Sequence, residues 1–394
     1  MVVLDGFGVG ATPDCPPAEA DRHTLRHVAG DGPLALPTLA SLGLHRLAPD
    51  AVDEQPLRGA HGRLAPMHPG ADTYLGHQEL MGGLLSRVEL KLMEDVGDTV
   101  RDALVAAGYR VEPLVDGQSM LLVDGVAVVH DNMEARARLN INVTASLDDI
   151  DFDALSEIGF AVRRAVNVSR VIVVGSRGYD VDDIRAHIVD RGEGQIGVDT
   201  PGLGVYNEHY QVRHLGLDFP AEQQLPTRVA DAGGEVVLLG KAADVVRCEG
   251  AVRENLVPTA EVLGAAVRHL ETMERGLIVA NVQETDLAGH EQDRDRYLSV
   301  LQLVDAGLPD LIDRLGPEDF LFITADHGND PTSGSSRHTR EHVPLLAYGE
   351  SFAAVDLGTR SSLADVGATV AELLGVEAPE SGDSFAKEIL CSST

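Results

Sequence analysis

Short apolar runs ending in glycine or acidic residues alternate with longer stretches of helical periodicity along most of the chain. Met1 to Leu4 is the first such run. It closes on Asp5-Gly6-Phe7-Gly8-Val9-Gly10, which reads as a buried strand followed by a turn that glycine permits. The pattern then predicts a helix over residues 38–47 and a turn at Pro69-Gly70-Ala71-Asp72 that brings the chain to Thr73. From about Glu89 the rhythm changes. A helix is expected over 99–107, a hairpin of 120–123 and 126–129 about Asp124-Gly125, a helix over 152–166, a strand over 170–174, and a long glycine-rich loop over 192–204. After Pro226 helix and strand alternate again, with helices expected at 227–232, 259–274, 297–312 and 362–373, and strands at 235–239, 277–282 and 319–324. A Pro- and Ser-rich tail follows.

Such alternation predicts an α/β fold whose mainly parallel sheet carries helices on both faces. The acid and imidazole groups that could do chemistry concentrate near both ends of the chain, and the middle contributes few of them. The expected organisation is a discontinuous core, residues 1–92 and 219–394, with an α/β cap domain over 93–218 inserted into it. At 394 residues, 44% of them hydrophobic, the chain is long enough for two cores. With aromatics at 4% and no Trp, those cores must be built from Leu, Val, Ile and Ala.

Charge narrows the partners. Acidic residues outnumber basic ones 63 to 31, giving a formal charge of −32. A surface of that sign repels nucleic-acid phosphates and anionic membranes, so neither is an expected partner. A small phosphorylated metabolite would need metal ions and a few placed Lys or Arg residues to overcome the general field. Cys15, Cys248 and Cys391 are too few and too scattered for a disulfide framework or a thiolate metal cluster, which suits a reducing compartment. No apolar run is long enough to span a bilayer, and no basic segment precedes the first apolar run as in a signal peptide. A cytoplasmic monomer or small homo-oligomer is expected.

The strongest local signal is Thr324-Ala325-Asp326-His327-Gly328-Asn329, where an apolar run delivers adjacent Asp and His and glycine turns the chain. Asp286-Leu287-Ala288-Gly289-His290 follows a second apolar run, and His338-Thr339-Arg340-Glu341 lies just beyond the first. With Asp5, the aspartates and histidines of these segments number three each. That donor set suits two divalent cations about 4 Å apart, a layout that holds both the attacking and the leaving oxygen of a phosphoryl group. Carboxylate oxygen and imidazole nitrogen suit manganese or zinc, and magnesium is a further candidate. Asp72-Thr73-Tyr74-Leu75-Gly76-His77 supplies a hydroxyl beside a helix start, which alone would read as a helix cap. Gly6, Gly8 and Gly10 lack the G-x-G-x-x-G spacing of a dinucleotide site.

In order and spacing, residues 3–10, Ala71-Asp72-Thr73 with Gly76-His77, residues 324–332, and residues 338–341 with Val343-Pro344-Leu345-Leu346 resemble phosphopentomutase, of the alkaline phosphatase superfamily. The cofactor-independent phosphoglycerate mutases share this core. The resemblance implies a phosphosugar mutase with Thr73 as nucleophile, carried as a phosphothreonine. It also implies one metal on Asp286, His290 and His338 and the other on Asp5, Asp326 and His327. Lys241 matches the family's phosphate-proximal lysine. Arg185 and Arg191 are the candidate substrate contacts from the cap.

Two departures bear on that reading. Phosphopentomutases place the first metal-binding Asp five residues before the His, a position held here by Thr285. The acid is Asp286, four before His290, as in the cofactor-independent phosphoglycerate mutases. The family's arginine-bearing aromatic run in the cap is replaced by residues 196–207. A phosphatase, a phosphodiesterase or a mutase of another phosphorylated metabolite is therefore the alternative.

Overall fold

The computed structural model describes residues 1–30, 35–48, 56–83, 88–134 and 137–391. Two compact units form, one from Met1–Leu85 and Phe219–Thr394 and the other from Ser86–Asp218.

The first unit is built on an eight-stranded sheet. Its strands lie in the order Val252–Glu254, Glu235–Leu239, Gly276–Val282, Val2–Leu4, Phe320–Thr324, Val343–Gly349, Ala60–Leu64, Asp356–Arg360. The first five are mutually parallel, Val343–Gly349 runs antiparallel to both neighbours, and Ala60–Leu64 pairs parallel with Asp356–Arg360. Val2–Leu4 sits at the centre, in register with residues 280–282 on one side and 323–324 on the other, and all three of its side chains are buried. Helices flank the sheet in two groups. Thr259–Thr272 packs on Arg294–Ile312, while Ala364–Leu374 packs on Leu225–Asp231 and Thr73–Leu80. The core between them is dominated by Leu, Val, Ile and Ala, with Phe7, Tyr297, Phe322 and Phe385 as its largest members.

The second unit has its own core around a six-stranded sheet. Only Asn140–Ser146 and Arg170–Ser176 pair in parallel; the other neighbours are antiparallel. Met93–Ala106 and Phe152–Ala165 bury one apolar side each in a shared cluster with that sheet. Asp124 and Gly125 both take positive φ, 52° and 79°, and close the hairpin of Leu121–Val123 with Ala127–Asp131.

Several elements differ from expectation. The helix over 38–47 is interrupted: Pro37–Ser41 is helical, Gly43 at φ 103° breaks the run, and only a 3-10 turn, Leu44–Leu47, follows. The glycine-rich stretch 192–204 contains the strand Ile196–Val198, paired with Ile188–Asp190. Ala60–Leu64 and Asn140–Ser146 were not predicted as strands, because His61, Arg63, Asn140, Asn142 and Thr144 break the apolar run. Most of those polar side chains are buried all the same. Of the tail, residues 392–394 lie outside the described residues.

Candidate metal centre

The carboxyl ends of four adjacent parallel strands converge on one place, the position where open α/β sheets bind ligands. Asp5 follows Val2–Leu4, Lys241 follows Glu235–Leu239, Asp286 lies in the helix after Gly276–Val282, and Asp326 and His327 follow Phe320–Thr324. His338 enters at the same edge because the strand after it, Val343–Gly349, runs the other way. Thr73 opens the helix Thr73–Leu80, whose N-cap Asp72 accepts from Leu75 N at 3.0 Å. Gly6, at φ 74°, lets the chain turn directly after Asp5, where a Cβ would lie 2.9 Å from Asn329 Cβ.

Two ligand clusters result. Asp5, Asp326 and His327 form one, and Asp286, His327 and His338 the other, so His327 belongs to both. His290 Nε2 adjoins the second, 3.4 Å from Asp286 Oδ2 and 3.2 Å from His338 Nε2. Thr73 Oγ1 lies 2.7 Å from His327 Nε2. Asp286, and not Thr285, reaches this cluster. Thr285 is turned inward, donating its hydroxyl to the carbonyls of Asp5 (2.6 Å) and Val282 (3.0 Å).

The three imidazoles share one arrangement. Each places Nδ1 against a backbone carbonyl: His327 on Gly328 at 3.1 Å, His338 on Ala71 at 3.2 Å, His290 on Ser336 at 2.7 Å. With Nδ1–H donating, each Nε2 is left with a lone pair aimed inward, as carbonyl-oriented metal-binding histidines do. The facing Nε2 atoms of His290 and His338 would then repel unless a cation or proton lies between them.

The carboxylates make the same point. Asp5, Asp326 and Asp286 are buried, and Lys241 Nζ lies 2.9 Å from Asp5 Oδ2 and 3.1 Å from Asp286 Oδ2. Neither Asp5 oxygen receives a directed hydrogen bond, despite that short approach, and Asp326 Oδ2 lacks one too. Burial, followed by repulsion from Asp326, pushes the Asp5 carboxyl up to about 7. Burial acts the same way on Asp286, but Lys241 and His338 outweigh it and hold that carboxyl well below the usual range. Burial would lower the Lys241 ammonium, but Asp5 and Asp286 overcome it and raise it. One lysine among three buried carboxylates leaves negative charge that divalent cations would compensate. The donor set therefore fits two metal ions.

Three residues around the centre stand inside the motifs already quoted, which assigned them no role. His77, fully buried, sits with Nδ1 2.9 Å from Thr73 O and 3.2 Å from Asp326 Oδ2, and its Nε2 is 3.1 Å from Asn281 Nδ2. Asn329 Nδ2 donates to Asp286 Oδ1 at 2.8 Å. Glu341, fully buried, accepts from Gly10 N, Thr24 N and the hydroxyls of Thr24 and Thr339, which ties down the loop after Asp5. Their place within those motifs was the signal that could have found them.

The other candidate positions belong to the second unit. Arg185 lies in the second unit, paired with Asp182 at 2.7 Å, and Arg191 is an exposed residue of the same unit. A cavity of about 760 Å³ bordered by Leu277, Phe320 and Phe352 opens at the entry ends of the strands, and no metal-centre residue lines it.

The metalloenzyme superfamily profile matches residues 1–378. The phosphopentomutase of Symbiobacterium thermophilum is 34% identical over 404 residues, covering 99% of this chain and 98% of that protein. The chain belongs to the phosphopentomutase family of metalloenzymes. The phosphopentomutase of Deinococcus radiodurans is 33% identical over 404 residues, covering 99% of each. In fold, the chain is similar to a phosphoglycerate mutase of Leishmania mexicana, with a TM-score of 0.51 at 14% identity over 97% of this chain and 96% of that one. Family membership and the paired ligand clusters support metal-dependent phosphomutase activity, and buried Thr73 is consistent with a two-metal phosphoryl transfer. No helix among the described residues is long and apolar enough to cross a membrane.

Proposed function

We propose that the chain is a phosphosugar mutase that moves a phosphoryl group between two positions of a pentose phosphate, using Thr73 as the carrier. The observation that carries this is the 2.7 Å approach of Thr73 Oγ1 to His327 Nε2, the imidazole common to both ligand clusters. A hydroxyl at that junction can meet a phosphorus atom that faces both metal positions.

Asp286, His290 and His338 would hold one divalent cation and Asp5, Asp326 and His327 the other, with the oxygen and nitrogen donors suiting Mn²⁺. When bound, such a pair stabilises the charge on the attacking and leaving oxygens. The rest falls to the chain itself. Phosphorylated Thr73 gives its phosphoryl group to the free hydroxyl of the sugar, whose proton passes to the departing Thr73 oxygen; Thr73 Oγ1 then takes the phosphoryl group from the other position and returns the proton to that sugar oxygen. Lys241 Nζ, 3.4 Å from Thr73 Oγ1, supplies a fixed positive charge to the phosphoryl oxygens in both halves. The start of helix Thr73–Leu80 adds backbone N–H groups. The second unit, residues 93–218 in this reading, acts as a cap that keeps water out, and Arg185 and Arg191 are its contacts to the substrate.

The test is a screen of phosphorylated sugars with Mn²⁺ that scores isomer and free phosphate together, run on the native chain and on Thr73→Ala. Ribose 1-phosphate should give an isomer with little phosphate, and Thr73→Ala should give neither product while keeping its metals. Stoichiometric phosphate from the native chain would favour a phosphatase, and mutase turnover by Thr73→Ala would remove the nucleophile assignment.

A further inference from the structure

The segment from Pro66 to Asp72 presents Thr73 yet has no helix or strand of its own. Loops of this kind are ordinarily solvated and mobile. Here the backbone is gripped from two directions by buried charged side chains. The Arg340 guanidinium donates to the carbonyls of Pro66 at 2.6 Å, His68 at 2.7 Å and Gly70 at 2.7 Å, so alternate carbonyls of the loop end on one side chain. Arg340 is itself anchored by Asp14, with Nη2 3.0 Å from Oδ2. From the other side the Glu79 carboxylate accepts from the N–H groups of Met67 at 2.9 Å and His68 at 3.0 Å, and lies 2.8 Å from His68 Nδ1. Glu79 is fixed in turn by the Ser362 hydroxyl at 2.8 Å and Leu363 N at 2.9 Å.

Both charges are costly to bury, and Arg340 is only 5% exposed and Glu79 fully buried. Apolar packing could hold a loop near the sheet, but it is non-directional and would not fix individual carbonyls. A planar guanidinium fork and a carboxylate fix both the donors and the acceptors of the main chain in direction as well as distance. The next carbonyl, Ala71 O, faces Nδ1 of His338 at 3.2 Å. Slack in this loop would therefore move the nucleophile and turn a metal-ligating imidazole together.

We propose that Arg340 and Glu79 are positioning residues for phosphoryl transfer: they hold residues 66–72 rigid from opposite sides so that Thr73 Oγ1 stays aligned with His327. The inference rests on the reading of Thr73 as nucleophile. Neither residue touches the reacting atoms; both act through the loop backbone. Misplacement of a reacting group by about 1 Å costs on the order of 100-fold in rate. The effect belongs in kcat, because the substrate's own contacts are not removed.

The experiment compares Arg340→Ala, Arg340→Lys, Glu79→Gln and Thr73→Ala as full chains with Mn²⁺ and ribose 1-phosphate, measuring kcat, KM, bound metal and melting temperature. In Arg340→Ala kcat should fall roughly 100-fold with KM changed by less than about threefold and metal content retained. Millimolar guanidinium ion should restore about tenfold of that loss in Arg340→Ala and nothing in Thr73→Ala, a response that general destabilisation would not give. If Arg340→Ala does not fold, the isosteric Glu79→Gln decides: a fall of about tenfold or more in kcat at native metal content supports the proposal. Folded, metal-loaded Arg340→Lys and Glu79→Gln both within about threefold of the native kcat would overturn it, as would a loss in Arg340→Ala that tracks the unfolded fraction and ignores guanidinium. Turnover by Thr73→Ala would take down the nucleophile reading and this inference with it. A dead Thr73→Ala beside unaffected Arg340 and Glu79 variants would take down this inference alone.

Discussion

Gly76→Ala sets a local gain against a tertiary clash beside Thr73, the proposed nucleophile. Gly76 lies in the first turn of the helix Thr73–Leu80 and packs against the strand end that carries the candidate metal ligands Asp326 and His327. A Cβ built on it would sit 2.4 Å from the Asp326 carbonyl oxygen and 2.8 Å from Asp326 Cβ, whereas ordinary contacts begin at 3.4 Å. The obstacle is main chain in a close-packed region, so relief requires the helix start to retreat by about 1 Å. Within the helix alone, alanine in place of glycine is worth about 0.8–1 kcal/mol. Overpacking a well-filled site costs about 1–3 kcal/mol, so the clash should win by roughly 1 kcal/mol. The same retreat carries Thr73 Oγ1 away from His327 Nε2, now 2.7 Å distant, and should reduce kcat by about 100-fold. Steady-state assay on ribose 1-phosphate with a thermal melt and metal analysis reads all three quantities. A variant that melts higher than the native chain and keeps kcat within about threefold would refute the close-approach argument.

Two further outcomes follow from the structure. Asp286→Ala should lower bound Mn²⁺ below two per chain, while Thr285→Ser, which keeps the hydroxyl that bonds the Asp5 and Val282 carbonyls, should leave it unchanged; metal analysis after gel filtration distinguishes them, and loss of metal in Thr285→Ser alone would reverse the assignment. In the second unit, burial lowers the His130 imidazole from 6.5 to about 4, so the unfolded chain binds the proton more readily and stability falls as pH drops from about 6.5 towards 4. The loss approaches about 3 kcal/mol. Asp131, pushed up to about 6 by burial, titrates in the opposite sense, so the measurement is the native-minus-His130→Gln difference in denaturant stability at pH 7.5 and 4.5. A difference that stays constant between the two would show that His130 is not held neutral.

The α/β alternation, the apolar strand that ends at Asp5 and the Asp326-His327 pair are local features and can be read from the residues alone. An apolar run followed by glycine and an acid constrains its own surroundings, because such a strand must be buried and its acid must sit at the strand's end. The strand Asn140–Ser146 escaped for the converse reason. Its Asn, Thr and Ser side chains look solvated in sequence, and only pairing on both sides with Ala127–Asp131 and Arg170–Ser176 buries them. Periodicity likewise carried a helix through Gly43, where the chain turns to positive φ so that His61 can pack against it. At the site, the six acid and imidazole residues were legible as chemistry, but their sharing was not. Tertiary structure alone decided that His327 serves both clusters and that Thr285 bonds inward to the Asp5 and Val282 carbonyls, whereas Asp286 was already legible as the acid from its spacing to His290. It also decided that Arg340 and Glu79, distant in sequence from each other, close on one loop. Those relations depend on hydrogen bonds between segments hundreds of residues apart, such as Arg340 to Pro66 and His338 to Ala71, which no local pattern records.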